Sequence, residues 1–437
     1  MLGRMAPDAE ARPGRIGILR PLRHRDFRLL WIGSAVSFVG DGIYVIAMAS
    51  QVLLLSHRAG ALAYVGIAWA TPQVFLSLAS GALSDRIDRR RLMIAGDMIR
   101  LAAVAAMGAL SIAGVITMPV LIALVVVYGI GQAVFGPSFG AITPSIVPEE
   151  SLVEANSLGQ FVRPASMMLV GPLIGGLLVG SVGPGWAFVI DGLTFIWSSV
   201  MIFVMRVRTE TRGDTSVRAV LREMGEGLAY VRKHRWLLIA MFGATVSLFV
   251  VWGPWEALVP FVVQKQLTPP GGSPGASLGL VYAAGGVGAL AAAFFMGQRA
   301  DLPRYPLVLL YVSLGVAMFM VAFFGVVTSV WQAMIVAVIA EAGNGVLIII
   351  WFTLLQRLVP TELLGRVTSL DWMITASGVP ISFLVVGPLA DRFGADAVLI
   401  GAGLLGGVIT IGLLFIPGAR DPERDGSLVA VRSLEPG

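Results

Sequence analysis

Three carboxylic acids, Asp41, Glu256 and Glu341, interrupt stretches of this 437-residue chain that are otherwise almost wholly apolar. An ionisable group inside a run long enough to cross a bilayer is costly, and it is retained where it binds something. A carboxyl group in low dielectric can load and release a proton or hold a cation. Asn344 follows Glu341 by one turn and Tyr44 follows Asp41 by one turn, so each acid has a polar neighbour on its own face. A hydrogen bond that packs one helix on another is the competing reading.

Other groups near the runs read as structural. Asp97 and Arg100 are one turn apart and read as a local ion pair near one end of a run, while Asp191 and Asp371 lie near run ends, where water reaches them. Trp252 and Trp255 around Pro254, Phe135 and Phe139, and Tyr44 could together line a cavity for a bulky amphiphile. Aromatic residues near span ends serve equally as interface anchors, and Pro137 and Pro254 equally as kink points.

The elements that must carry these residues follow from composition. The chain is 57% hydrophobic and 13% charged, against about 25% charged in a soluble protein. Its mean hydropathy is +0.85. Such a sequence cannot cover itself with polar surface, so lipid must be its solvent.

A helix needs roughly 20 apolar residues to cross the hydrocarbon core. Runs of that kind fall at 28–55, 62–83, 92–115, 119–141, 162–182, 186–206, 237–263, 277–297, 306–326, 330–351, 370–391 and 395–417. The pattern predicts an all-α membrane protein with twelve transmembrane helices. The N-terminal basic stretch resembles a signal peptide, but the apolar run after it is too long for a signal core and reads as an uncleaved first span.

Alternate loops differ in charge. One set holds the basic tail (1–27), Arg86 to Arg91, the 207–236 segment, Arg299 and Arg304, Arg357 and Arg366, and the C-terminal tail (418–437). The positive-inside rule places this set and both termini in the cytoplasm. Nearly all basic residues are Arg, as in a GC-rich bacterium, and the expected location is a bacterial inner membrane. Within 207–236, Val217, Val220, Leu221, Met224, Leu228 and Val231 recur at helical spacing. They predict an amphipathic helix on the cytoplasmic membrane surface, with a flexible charged linker as the alternative.

The chain also repeats itself. Ile146-Val147-Pro148-Glu149 corresponds to Leu358-Val359-Pro360-Thr361, Gly171-Pro172-Leu173 to Gly387-Pro388-Leu389, and Gly81 with Asp85 to Gly297 with Asp301. Each pair is offset by about 212 to 216 residues at equivalent places in the topology. The expectation is two pseudo-symmetric six-helix bundles, 28–206 and 237–417, with a pathway between them.

Residues Gly81 to Arg91, GALSDRIDRRR, occupy the short loop between the second and third runs. The pattern of Gly81, Asp85, Arg86, Arg90 and Arg91 resembles the signature loop of the major facilitator superfamily. The resemblance implies the facilitator fold, alternating access and a gating role for those five residues. Asp88 stands where that family has glycine, and Asp tolerates a left-handed turn better than most residues.

Residues 142–160 and 353–370 resemble paired cytoplasmic helices of the enterobactin-exporter and macrolide-efflux-like branch. Gly171, Pro172, Gly175 and Gly176 resemble the end of that superfamily's antiporter motif on helix 5, although Met167 replaces its upstream glycine. An arginine common on helix 4 of proton-coupled exporters is absent from 119–141. The resemblance also implies that helices 1, 4, 7 and 10 line a central cavity, which puts Asp41, Glu256 and Glu341 on cavity helices.

Several classes are excluded. There are no cysteines and only three histidines, His24, His57 and His234, all at span ends or in loops. Disulfides, thiolate catalysis and a histidine metal cluster inside the membrane are thereby ruled out. Gly136-Pro137-Ser138-Phe139-Gly140 fits a nucleophile elbow by letters alone, since it ends a membrane helix and has no histidine base. No phosphate-binding glycine loop is present.

The net charge of +5 comes from arginines in loops, where it reports topology rather than nucleic-acid binding. The resulting expectation is a monomeric secondary transporter without cofactor, exporting a hydrophobic or amphiphilic small molecule by proton antiport. An uptake symporter or uniporter of the same fold, and a non-transporting membrane sensor, are the alternatives.

Overall fold

The computed structural model describes residues 17–84, 87–148, 151–207, 217–298 and 302–424. Asp85, Arg86, Glu149 and Asp301 lie outside the described residues. Every regular element among the described residues is helical.

The first half holds α1 (Arg25–Leu55), α2 (Ala61–Ser84), α3 (Arg89–Ile112), α4 (Met118–Ile142), α5 (Leu152–Pro164), α6 (Gly171–Val182) and α7 (Pro184–Val204). Then follow α8 (Val217–Lys233), α9 (Arg235–Val262), α10 (Pro274–Gly297), α11 (Pro306–Phe323), α12 (Val330–Leu358), α13 (Thr361–Phe393), α14 (Ala395–Gly412) and the short α15 (Asp421–Arg424). Eleven helical segments among the described residues are long and apolar enough to cross a membrane, α5 and α6 together making one of them. In α2 the apolar section Ala61–Leu76 is shorter than that criterion.

Local chemistry sets the helix limits. Asp88 begins α3, its side chain accepting from the Arg90 N–H at 2.9 Å, and Ser273 begins α10 by accepting from the Ala276 N–H at 3.3 Å. Asp88 has φ −50° and ψ 121°. The aspartate therefore replaces the family's glycine as a helix cap and not as a left-handed turn.

Two hairpins turn on the same device. Gly183 (φ 87°) precedes α7 and Gly394 (φ 85°) precedes α14, at equivalent points of the two halves. Between α5 and α6, the segment Ala165–Val170 is a π-helical turn. It is flanked by Pro164 and Pro172, neither of which has an N–H to give the ladder.

The packing is pseudo-symmetric. Helix α6 packs on α1 of its own half and on α10 of the other, while α13 packs on α9 of its own half and on α2 of the other. One face carries the beginnings of α1 and α9 together with α8 and α15, and is called here the terminal face. Away from it, a single apolar core runs through both halves, from Ile43 and Val104 to Leu278 and Phe383. Toward the terminal face the core divides into two, one around Phe27, Met93 and Ile142 and one around Trp236, Leu354 and Val367.

Backbone contacts show the same asymmetry. A methyl group at Gly60 would lie 2.7 Å from the Gly387 carbonyl oxygen, and one at Gly176 would lie 2.9 Å from that of Gly275. The Gly60 N–H donates to Asp391 at 3.3 Å and Gln264 to Ser50 at 3.1 Å, both across the halves. At the terminal face, Gly136, Gly140, Gly159, Gly297 and Gly365 have open space where a Cβ would be. Among the described residues, these close cross-half contacts lie on the side away from the terminal face.

The described residues of helix α8 contact α13. Arg366 of α13 pairs with Glu226, the Tyr230 hydroxyl donates to the Leu358 carbonyl at 3.0 Å, and Val231 is buried.

Candidate functional site

Asp41 sits in the middle of α1, at 6% exposure. The Tyr128 hydroxyl of α4 donates to it at 2.9 Å, and Arg100 of α3 lies 3.5 Å away. Arg100 also donates to Gln132 of α4 at 3.1 Å and pairs with Asp97 on its own helix. Phe135 and Phe195 cover the two sides of its guanidinium at 4.5 and 4.3 Å. A buried cation held this way is compensated by charge, hydrogen bonds and ring faces together.

The cation of this group comes from α3 and lies beside the α4 residues Tyr128 and Gln132. The Asp97 and Arg100 pair is local, as its spacing predicts, but it is buried and reaches Asp41. Asp191 of α7 joins the same group. Its position near a run end suggested water access, yet it is 0% exposed. Helix α7 tucks that end against α1 and α3, and at Gly40 a methyl group would come within 2.5 Å of an Asp191 carboxylate oxygen.

Tyr44 stacks on Tyr128 with ring centroids 4.2 Å apart, and both are buried. Phe135 lies against Arg100 and stacks with Phe139 at 5.5 Å. Tyr44 and Phe135 therefore wall the charged cluster, and the expected aromatic cavity lining does not include them. Trp255 packs edge-on against Phe324 at 5.4 Å, and the Trp252 indole N–H is buried without a partner among the described residues.

The second half is built differently. Glu256 of α9 and Glu341 of α12 lie on helices equivalent to those of Asp41 and Tyr128. The two acids lie within electrostatic reach of each other, and the Tyr282 hydroxyl of α10 feels both. Both acids are half-buried. Asn344 donates to Glu341 at 3.5 Å, a long hydrogen bond. Neither acid has a cationic partner among the described residues. Gly285 makes room for Glu341, whose Cγ would lie 3.0 Å from a methyl group there. Asp371, half-buried, accepts from the Trp351 indole at 2.9 Å.

The helix 5 residues gather where α1, α6 and α10 meet. Gly171 abuts Gly42 and Gly175 abuts Ile43 of α1, while Pro172 and Gly176 face Gly279 and Gly275 of α10. The Met167 carbonyl fills the place beside Gly42, where a methyl group would come within 2.7 Å of it. Of the loop residues, Arg90 gives its donors to the end of α7: to Phe203 at 2.7 Å, Val207 at 3.1 Å and Ile202 at 3.2 Å. Arg91 is exposed, and Gly81 lies in α2.

Comparison with known sequences decides what this architecture serves. The pattern of a family described as transmembrane secretion effector, within the major facilitator superfamily, matches residues 16–425. The chain belongs to that family. The transporter is 26% identical over 377 residues to macrolide efflux protein A of Streptococcus pyogenes, covering 85% of this chain and 90% of that one. It is 27% identical over 406 residues to the multidrug efflux pump Tap of Mycolicibacterium fortuitum, covering 90% and 96%.

Among solved structures, a POT peptide transporter in complex with sulfate superposes with a TM-score of 0.70 at 12% identity, covering 92% of this chain and 95% of that one. That likeness shows that the two chains share a fold. The protein is a multi-pass membrane transporter of a small molecule and not an enzyme.

Sequence reasoning missed Tyr128, Tyr282 and the inclusion of Arg100 and Asp191 in one cluster with Asp41. The signal available was the Asp97 and Arg100 pair itself, a charged pair inside an apolar run of the same half as Asp41.

Proposed function

We propose that this transporter exports a hydrophobic or amphiphilic small molecule bearing a positive charge from a bacterial cytoplasm, in exchange for protons. The observation that carries the substrate class is the acid pair Glu256 and Glu341. Two carboxyl groups on neighbouring helices, with no basic partner among the described residues, attract a cation into the half-buried site. The unpartnered Tyr282 hydroxyl adds a polar group within electrostatic reach of both acids.

The efflux activity named for the macrolide and multidrug relatives supports export as the direction. Arginine-rich loops on the terminal face support its assignment to the cytoplasm of the inner membrane, with both termini inside. In that orientation the described state opens inward. Residues 28–206 and 237–417 act as two rocking bundles of a monomer, joined by 207–236. Protons enter from outside and leave inside as substrate moves out. Gly81, Asp85, Arg86, Arg90 and Arg91 serve the cytoplasmic gate, Arg90 by holding the end of α7.

Ethidium transport in proteoliposomes under an imposed pH gradient tests the reading. Accumulation should follow the gradient and collapse with a protonophore. Flux that ignores the gradient overturns the antiport assignment, and flux only down the ethidium gradient makes the protein a uniporter.

A further inference from the structure

We infer that Asp191 is a proton-carrying site, enclosed in the first half with Asp41, Asp97 and Arg100. The inference rests on the antiport reading and adds where in the molecule a transported proton resides.

Charge balance is the first argument. Three carboxyl groups, Asp41, Asp97 and Asp191, share electrostatic contact with one guanidinium, that of Arg100. Their exposures are 6%, 0% and 0%, and that of Arg100 is 1%. One cation compensates one carboxylate. Leaving two further negative charges sealed from water is far more costly than taking up protons.

Hydrogen-bond partners then distinguish the three acids. Asp97 has the Arg100 ion pair and accepts from Ser199 at 3.4 Å. Asp41 has the Tyr128 hydroxyl at 2.9 Å and Arg100 at 3.5 Å. Both carboxyl oxygens of Asp191 are buried without a hydrogen-bond partner among the described residues. The neighbouring Thr194 hydroxyl donates to the Asp191 main-chain carbonyl at 2.7 Å and is the one hydroxyl close enough to bear on its carboxyl group. With neither a cation paired to it nor a donor as close as that of Asp41, the Asp191 carboxylate is the least compensated of the three.

The surroundings connect the site to the other half. Facing Asp191 are Asp41 and Tyr44 from α1, Asp97 and Arg100 from α3, and Tyr128 from α4. Gly40, beside Asp41, lets the α1 backbone run against the Asp191 carboxyl. Helix α1 packs both on α7 and on α10 of the other half. Helix α1 is therefore the wall of the chamber that also touches the other half. Uptake adds a proton from water to one carboxylate oxygen, and release returns it to water from that same O–H bond; no other bond changes.

Infrared difference spectroscopy of the purified full chain across a pH titration tests the assignment without a substrate. The carbonyl stretch of a protonated aspartic acid, identified by isotope-labelled aspartate in the wild type, should disappear as pH rises. Because two surplus carboxyl groups take up protons, one of the titrating bands should be missing from Asp191→Asn at every pH and present in both Asp41→Asn and Asp97→Asn. In proteoliposomes, Asp191→Asn should lose ethidium accumulation driven by the pH gradient and keep ethidium exchange at equal pH.

A wild-type spectrum with no titrating aspartic acid band overturns the inference, even where Asp191→Asn fails to fold. So does a set of titrating bands that Asp191→Asn leaves unchanged, or gradient-driven accumulation that survives it. Wild-type flux that ignores the gradient overturns the antiport reading and this inference with it, whereas gradient-driven wild-type flux without a titrating aspartic acid band overturns the inference alone.

Discussion

Arg100 on α3 reaches within 3.5 Å of Asp41 on α1, so the principal acid of the first half is bridged to a cation and enclosed. The principal acids of the second half, Glu256 and Glu341, have no such bridge among the described residues. The fold repeats, and the chemistry placed in its two halves does not.

Removing Arg100 should be severe. Arg100→Gln leaves three carboxyl groups without their cation and should cost about 3–5 kcal/mol, the range for breaking a buried pair. Arg100→Lys should restore little of it, since an ammonium cannot lie flat between Phe135 and Phe195 while bridging Asp97 and Gln132. Thermal unfolding in detergent reads this directly. Equal melting of wild type and Arg100→Gln would remove the structural role assigned here.

Neutralising the second acid pair should change selectivity rather than folding. Glu341→Gln and Glu256→Gln should each weaken ethidium transport roughly tenfold or more, the value of a hydrogen bond to a charged group. Chloramphenicol, which is uncharged, should be affected far less. An equal loss for both compounds would place these acids in proton coupling instead.

The asymmetry of the two faces predicts an accessibility pattern. Because the chain contains no cysteine, single cysteines at Gly136 and Gly140 need no background removal. Both should react rapidly with a membrane-impermeant maleimide offered from the terminal face. Gly279→Leu should slow that labelling, because Gly279 abuts Pro172 in the closed contact between α10 and α6. Unchanged labelling would mean that this contact does not set the conformational balance.

Asp88 offers a test that separates capping from gating. Asp88→Ala should lower stability by about 1 kcal/mol through the lost cap, and Asp88→Gly by a few tenths. Transport rates corrected for folded protein should change little in either. A large rate increase in Asp88→Gly at unchanged stability would show instead that Asp88 restrains the loop.

Much of the architecture was legible in advance. Run length marked the eleven spans found among the described residues, and the Gly171-Pro172 and Gly387-Pro388 repeat anticipated a related pair of helices. The spacing of Asp97 and Arg100 gave their ion pair. The enclosure of Asp41 and Asp191, the walling role of Tyr44 and Phe135, and the seat of α8 on α13 were not readable.

The reason lies in the solvent. In water a buried face is apolar and an exposed face polar, so sequence reports which side turns inward. In lipid both faces are apolar. Phe75 and Phe203 are exposed, Phe188 and Phe195 are buried, and nothing in their residue type separates them. The sequence by itself determined that this protein spans a membrane as a repeated helical transporter and which helices carry its acids. Only the tertiary structure decided which acids face one another, because that depends on how each uniformly apolar helix is rotated against its neighbours.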